Sequence, residues 1–492
     1  MKRFGMLAIA AALLLGSAMS ASAATEVKMV GDAYVYGNYF QNHNFTGWST
    51  GSWDNNSGAY TGAGTQTEDR FQIWERFRLR TDFVANEAVK FRLGIKVEDV
   101  WGHGTLTAAN PTTSVSVYQA FLQFKLPDCN VEVTAGLQDF SMPANAFFSD
   151  SVIYGGDRAA ALVVNVPVVP DTFSVVAAYA RMLDKNRTYD TTTTQQADEL
   201  DLYLLTLPIT VEGFKVTPYG AIAVAGRDAN YFTAGSYGPN STFADSLLSA
   251  GTFLTPSGMR NAQNAYWWAG GSFEVTALDP VKFYADVIYG AGNQADRKKD
   301  RREGWFIDLG AEYTGFDVVT PQVFAWWSTG EDGSTRNGSE RMPSVLSNWG
   351  PGNNFLFDSS QELSKDSNLG VNPIGTMGIG AALDNISLME KLTHRLSFIY
   401  LRGNNSAKAL RFLNTYMGSN PYFTMGRDLT CEENIISVGF DTKYQIYENL
   451  AAVLEAGWAH GQFQTSVWGH RLAERARSGD PIKVAFGLTY KF

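Results

Sequence analysis

The sequence predicts an all-β chain folded as one transmembrane antiparallel β-barrel, of 18 strands with 16 as the alternative. Three observations predict it. Segment after segment alternates apolar and polar residues, the period-two pattern of a strand with one face in lipid and the other in water. The connections between these segments are short and long in turn, as in barrels with tight turns at one rim and loops at the other. The chain ends on such a strand, Ile482 to Phe492, whose even positions are all apolar and whose last residue is aromatic.

The amino terminus comes first in this argument because it sets the compartment. Lys2 and Arg3 precede an apolar run from Met6 to Leu15, and Ala21-Ser22-Ala23 follows. This is the layout of a secretory signal peptide cleaved after Ala23, which leaves 24–492 as a single barrel domain. The apolar run is too short to be a membrane anchor. No later stretch reaches 18 consecutive apolar residues. An exported chain of this kind enters a membrane only as a closed barrel, so the expected location is the outer membrane of a Gram-negative cell.

The strands follow in order. The clearest runs over 70–86: Phe71, Ile73, Phe77, Leu79 and Phe83 share one face, and Gln72, Arg76, Arg78, Arg80 and Asp82 share the other. After the tight turn Glu87-Ala88, Val89, Phe91, Leu93, Ile95 and Val97 oppose Lys90, Arg92, Lys96 and Glu98. Tyr118, Ala120, Leu122 and Phe124 are expected to face away from Gln119, Gln123 and Lys125. With the weaker segments, strands are expected near 28–40, 70–86, 89–100, 115–126, 130–138, 159–168, 172–181, 198–209 and 214–226. The others lie near 264–277, 281–290, 304–313, 318–329, 375–384, 394–402, 431–444, 448–460 and 481–492. Misreading a weak pair such as 375–384 with 394–402 leaves 16. Either number encloses an aqueous lumen, whereas about eight strands pack shut. The long loops are expected at 41–69, 227–263, 330–374 and 403–430. Trp305, Tyr313, Trp326, Trp327, Tyr490 and Phe492 suit interfacial aromatic girdles.

Composition supports this and excludes other classes. Charged residues are 18% of the 492, aromatics 13%, and there are 47 glycines. Disordered chains carry few aromatics and high charge. The formal charge of −10, which becomes −12 once Lys2 and Arg3 are removed, argues against a nucleic-acid partner. The five histidines, His43, His103, His394, His460 and His470, fall in no metal or hydrolase motif. Neither a catalytic residue, a metal site nor a cofactor is expected. The acids Glu331 and Asp332 sit in a long loop without Ca²⁺-ligand spacing. Cys129 falls in a short turn and Cys431 at the opposite rim. That separation is too large for a disulfide, so both thiols are expected free. The run Arg297-Lys298-Lys299-Asp300-Arg301-Arg302, tempered by Asp296, Asp300 and Glu303, reads as a surface loop that contacts lipopolysaccharide phosphates or nothing specific.

The signal peptide, the 70–100 hairpin, the strand end Gly136-Leu137-Gln138-Asp139 before a loop and the terminal Phe492 together resemble bacterial general porins. The overall layout is most similar to the outer-membrane homotrimeric porins of sulfate-reducing bacteria. The resemblance covers essentially the whole mature chain, through layout more than through local motifs. It implies a homotrimer with one pore per barrel, a third long loop folded into each barrel, and an assembly machinery that reads Phe492.

The third long loop is about Asp139–Arg158, and its apolar residues, among them Phe140, Phe147, Phe148 and Ile153, suit packing inside the barrel. It carries Asp139, Asp150 and Asp157. By parity Arg76, Arg78, Arg80, Lys90 and Arg92 face the lumen, and an acidic loop across from a basic wall sets up a transverse field over a narrow water path. The function this predicts is passive diffusion of ions and small hydrophilic solutes. The alternatives are a substrate-selective channel for small carboxylates or inorganic anions, and an enzyme or adhesin, for which the scarce histidines offer little.

Overall fold

The computed structural model describes residues 26–42, 45, 52–54, 59–61, 70–102, 115–184, 197, 199–226, 261–292, 301–334, 336–357, 362–363, 369–411 and 425–492. Residues 1–23, expected to be a signal peptide, lie outside these residues, as do His43, His103 and Arg297 to Asp300. Among the described residues no helix is long and apolar enough to cross a membrane.

Eighteen antiparallel staves close into one barrel. They are β1 (Glu26–Gln41), β2 (Arg70–Asn86), β3 (Val89–Val100), β4 (Val115–Lys125), β5 (Glu132–Phe140), β6 (Asp157–Val169), β7 (Phe173–Asp184), β8 (Glu199–Thr206 and Ile209–Val211), β9 (Phe214–Gly226), β10 (Gln263–Val275), β11 (Val281–Gly292), β12 (Arg302–Tyr313), β13 (Thr320–Ser328), β14 (Thr376–Met389), β15 (Leu392–Gly403), β16 (Asn434–Tyr447), β17 (Leu450–Gln462) and β18 (Ile482–Lys491). Stave β8 is broken because Pro208 has no N–H to give the ladder; both of its pieces pair with β7 and β9. β1 pairs with β18 and with β2, which closes the sheet. The pair read as weakest, β14 with β15, is in register from Thr376↔Gly403 to Leu383↔Leu396 and stays paired, through two register shifts, to Met389↔Leu392. Eighteen therefore stands, and 16 does not.

The alternation sorts residues as the sequence predicts. Phe71, Phe77, Phe83, Phe91, Leu309, Phe398 and Phe486 are exposed on the outer face, as lipid contact requires. Two expected placements differ. Tyr118 is buried, not lipid-facing, because the β3–β4 register shifts between Gly94 and Ile95. This bulge turns Tyr118 and Gln119 to the same side, into the space over Gly94, where an added Cβ would lie 2.9 Å from the Gln119 Cβ and 3.0 Å from the Tyr118 ring. Trp326 is not a girdle residue: it is 3% exposed, while its neighbour Trp327 is 41% exposed. Adjacent strand residues point to opposite faces, so only one of the two reaches lipid.

Long connections all leave one rim. Loop 3 spans 141–156, loop 7 spans 329–375, loop 8 spans 404–433 and loop 9 spans 463–481. Loop 9 carries two short helices, α1 (Thr465–Trp468) and α2 (His470–Ala476). Both cysteines are free and exposed.

Candidate channel lining

Loop 3 folds into the barrel. Its tip lies on β11 and β12, where the Asn145 backbone N–H donates to both carboxylate oxygens of Asp286 at 3.2 and 3.3 Å and the Asn145 amide donates to Asp308 at 3.1 Å. Phe147 covers Gly310, which has no side chain to obstruct the ring, and packs against Tyr284 and Phe324. Asp308 is 0% exposed and also accepts from the Trp349 indole at 2.7 Å and from the Asp286 N–H at 2.9 Å. Four hydrogen-bond contacts from the loops converge on this buried carboxyl pair, which satisfies oxygens that burial removes from water.

Loop 7 also folds inward, which the sequence reading did not anticipate for 330–374. Its residues 344–350 run beside loop 3: Val345 and Leu346 N–H groups donate to the Ile153 carbonyl at 2.8 and 2.9 Å, Gly155 donates to Leu346, and Ser149 donates to Gly350. Trp349 stacks on Phe148 with ring centres 5.0 Å apart and meets Phe306, Trp326 and Phe357 at 5.2–5.3 Å. Loop 7 then reaches the other side of the barrel. Glu455 on β17 accepts from the N–H groups of Glu362 and Leu363 and from Asn353, and pairs with the buried Lys483 at 2.8 Å. Glu362 pairs with Lys443 at 2.7 Å. The aromatic content of 345–357 was the available signal: it matches the apolar composition that marked loop 3.

The β1–β3 sector lies across the barrel from β11, where the loop 3 tip is seated, and loop 7 reaches it through Asn353, Glu362 and Leu363. That sector holds the arginine strip. Arg78 grips Asp32 of β1 through Nε at 2.9 and 3.1 Å and Nη2 at 2.9 Å. Arg76 and Arg80 reach the same carboxylate at 3.5 and 3.7 Å. Arg76 also approaches Glu98 at 4.0 Å and lies over the Tyr34 ring at 4.2 Å. The register puts Asp32 directly opposite Arg78, so one carboxylate serves three guanidinium groups. Glu98 is bonded by Lys96 as well. Arg92 pairs bidentately with Asp82 at 2.6 and 2.7 Å, and Lys90 and Arg80 both act electrostatically on Asp82. A recess of about 630 Å³ is lined by Asp32, Tyr34, the three arginines, Asn353 and Glu362.

Among the described residues none of the expected acids lines the arginine recess, although Asp139 acts electrostatically on Arg92. Asp139 is a wall residue of β5 and pairs in register with Arg158 of β6; it accepts from Gln119 at 2.7 Å. Asp150 is in loop 3 and accepts the Ser151 N–H at 2.9 Å. Asp139 and Asp150 line a second recess of about 690 Å³ beneath loop 3. Asp157 begins β6, and its side chain lies outside the described residues. The acid that lines the recess with the arginines from a loop is therefore Glu362 of loop 7, which the sequence reading did not select.

At the long-loop rim, Glu433 is buried and accepts from Thr430 N–H, Gln464 N–H and the Trp468 indole at 2.7–2.8 Å, tying loop 8 to loop 9. Burial raises its pKa and these donors hold the rise back. Arg302, read as part of an exposed basic loop, is the first residue of β12 and buried; it donates to the Arg341 carbonyl at 2.9 Å. His460 pairs with Asp480 at 2.7 Å, and His394 bonds Thr442. Phe492 closes the barrel seam: its N–H and carbonyl exchange bonds with Gly31 at 3.0 and 2.8 Å, and its ring stacks on Phe77.

No family model matches the chain, and no curated protein matches it by sequence. Solved structures do match in fold. A double variant of OccD1 (OprD) superposes with a TM-score of 0.50 at 12% identity, over 96% of this chain and 97% of its own. Pseudomonas aeruginosa OpdQ gives 0.50 at 8% identity, over 95% and 98%. The outer membrane protein OprD from Pseudomonas aeruginosa gives 0.48 at 12% identity, over 94% and 93%. The chain thus has the closed 18-strand antiparallel barrel of OprD-like outer-membrane proteins.

Proposed function

We propose that the chain is a bacterial outer-membrane porin: a water-filled channel for passive diffusion of ions and small hydrophilic solutes. One observation carries the reading. The barrel has an apolar outer face, and its inner wall holds three arginines on one carboxylate beside an open recess. Those charges at the bilayer midplane on the outer face would cost about 2–4 kcal/mol each; inside they need water, and water there makes a conduit. OccD1 and OpdQ share the barrel. The test is incorporation of the purified protein into planar bilayers. Stepwise, ohmic conductance that rises linearly with salt supports the proposal, and an absence of steps sinks it.

A second reading is a substrate-selective channel for small carboxylates or inorganic anions. The second inward loop favours it, since loops 3 and 7 together narrow the lumen beside the arginine strip. Conductance that saturates and is blocked by one solute separates it from the first. In either reading the chain is a non-enzymatic homotrimer, exported by a cleaved 1–23 signal peptide and inserted by the barrel assembly machinery. Lipid and lipopolysaccharide surround it, and the porins of sulfate-reducing bacteria are its proposed relatives.

A further inference from the structure

We propose that Glu331, Asp332 and Glu340 of loop 7, with Asn337, form a Ca²⁺ site at the channel mouth. Glu331 follows β13 closely, and its backbone ties loop 7 to loop 8: its N–H donates to Asn405 at 3.0 Å, and its carbonyl accepts from Ser406 at 2.7 Å. A carboxylate oxygen from each of the three acids lies within 4.8 Å of the others. Two oxygens on opposite sides of Ca²⁺ at ~2.3–2.6 Å stand about 4.6–5.2 Å apart, against about 4.0–4.2 Å for Mg²⁺. Oxygens within the 4.8 Å bound can share one ion, and a partly exposed carboxylate set on a loop suits the flexible oxygen shell of Ca²⁺ better than the rigid octahedron Mg²⁺ demands.

A second observation points to a ligand. Glu331 is 2% exposed, and its Oε1 is buried without a hydrogen-bond donor, Ser339 being engaged with Oε2. A buried carboxylate oxygen left without a donor is costly, and a cation supplies what is missing. Asn337 has the same defect. Its amide nitrogen sits between Asp332 and Glu340, at 2.9 and 3.1 Å, while its Oδ1 is buried and unpartnered. A half-turn of the amide exchanges the two, putting an oxygen where three carboxylates converge. Among the described residues none of the three acids is ion-paired to a basic residue. Arg302 and Arg341 act on Glu331 from a distance, and Glu303 acts on Glu340; Arg341 is itself committed to Asp428 at 2.8 Å. A carboxylate-rich set on a surface loop fits the weak extracellular class, with Kd of about 10⁻⁴–10⁻³ M. The remaining ligands would be water.

The test uses the whole folded protein in detergent, stripped with EGTA and titrated with CaCl₂ by calorimetry. One saturable site per chain is expected, with MgCl₂ at least tenfold weaker. The D332N/E340Q variant should lose it, and Glu474→Gln, on α2 of loop 9, should keep it. Arg336 is exposed between the ligands and gives a readout on the unmutated chain: trypsin cleavage after Arg336 should slow at least fivefold in 5 mM CaCl₂ relative to EGTA. If the wild type shows neither saturable binding nor protection, or if D332N/E340Q binds Ca²⁺ as the wild type does, the site is refuted. Because binding and protection are read without a bilayer, a failed conductance test leaves this result standing, and the reverse holds too.

Discussion

Replacing Arg76, Arg78 and Arg80 together by Gln tests the proposed ion path directly. In the wild type these three cations share Asp32, which leaves the cluster at a net charge of +2. The neighbouring Lys96–Glu98 and Arg92–Asp82 pairs cancel internally. The triple variant leaves Asp32 alone, at −1, a swing of three unit charges. At about 8 Å in water one unit charge contributes roughly 0.5 kcal/mol, and a Debye length of ~8 Å leaves about a third of it. Three charges then change the energy of a passing ion by about 0.6 kcal/mol, with opposite signs for anion and cation. The anion-to-cation permeability ratio should fall roughly five- to tenfold. The low-dielectric wall can only enlarge this.

The assay is the reversal potential of both proteins in the same KCl gradient, repeated at higher salt, where the difference should shrink. Asp32→Asn is the complementary perturbation. It takes the cluster to +3, so it should move the potential the other way by about a third as much. Coincident potentials for wild type and triple variant would refute the placement of the arginines on the ion path. A shift of the same sign in both variants would refute the electrostatic reasoning.

Further outcomes are expected. Trp349→Ala should cost about 3–5 kcal/mol of packing, confined to loops 3 and 7 because the barrel ladder does not depend on it; single-channel conductance should become larger and noisier while the β circular dichroism is unchanged. Deleting Phe492 removes both backbone bonds to Gly31 and the stack on Phe77, so membrane insertion should fall more than synthesis does, as fractionation will show. The unheated protein should migrate as a trimer in mild SDS and as a monomer after boiling. Cys129 and Cys431 are exposed and free, so a maleimide should label two thiols per chain without prior reduction.

What the sequence made legible is what repeats with period two. Each strand separates two solvents, so Phe77 and Leu79 had to face one way and the arginines between and around them the other; one chain sufficed to read this. Cross-strand register is different, because it depends on which residue of another strand stands opposite. Nothing within 70–86 indicated that Asp32 would face Arg78, and the acids were sought in loop 3 instead. Tyr118 was misplaced for a related reason. A bulge inserts one residue without disturbing the local alternation, and the only trace it left was Gly94, a lumen position with no side chain.

Loop 7 shows a third kind of miss, and it bears on the function. Loop 3 was recognised as inward because it is apolar, yet residues 345–357 of loop 7, with Trp349, Phe355 and Phe357, meet the same criterion. Once both are inside, they depend on each other: Trp349 stacks on Phe148 of loop 3, and both loops donate to Asp308 on the wall. The acidic residue lining the arginine recess from a loop is then Glu362, on the longer loop, held by Lys443 and by Glu455 through its backbone. Glu362→Gln should therefore change ion preference in the anion direction, the same sign as Asp32→Asn, whereas Asp150→Asn, which does not line the arginine recess, should change it less. Equal shifts from Glu362→Gln and Asp150→Asn in one KCl gradient would return the acidic role to loop 3 and undo the assignment to loop 7.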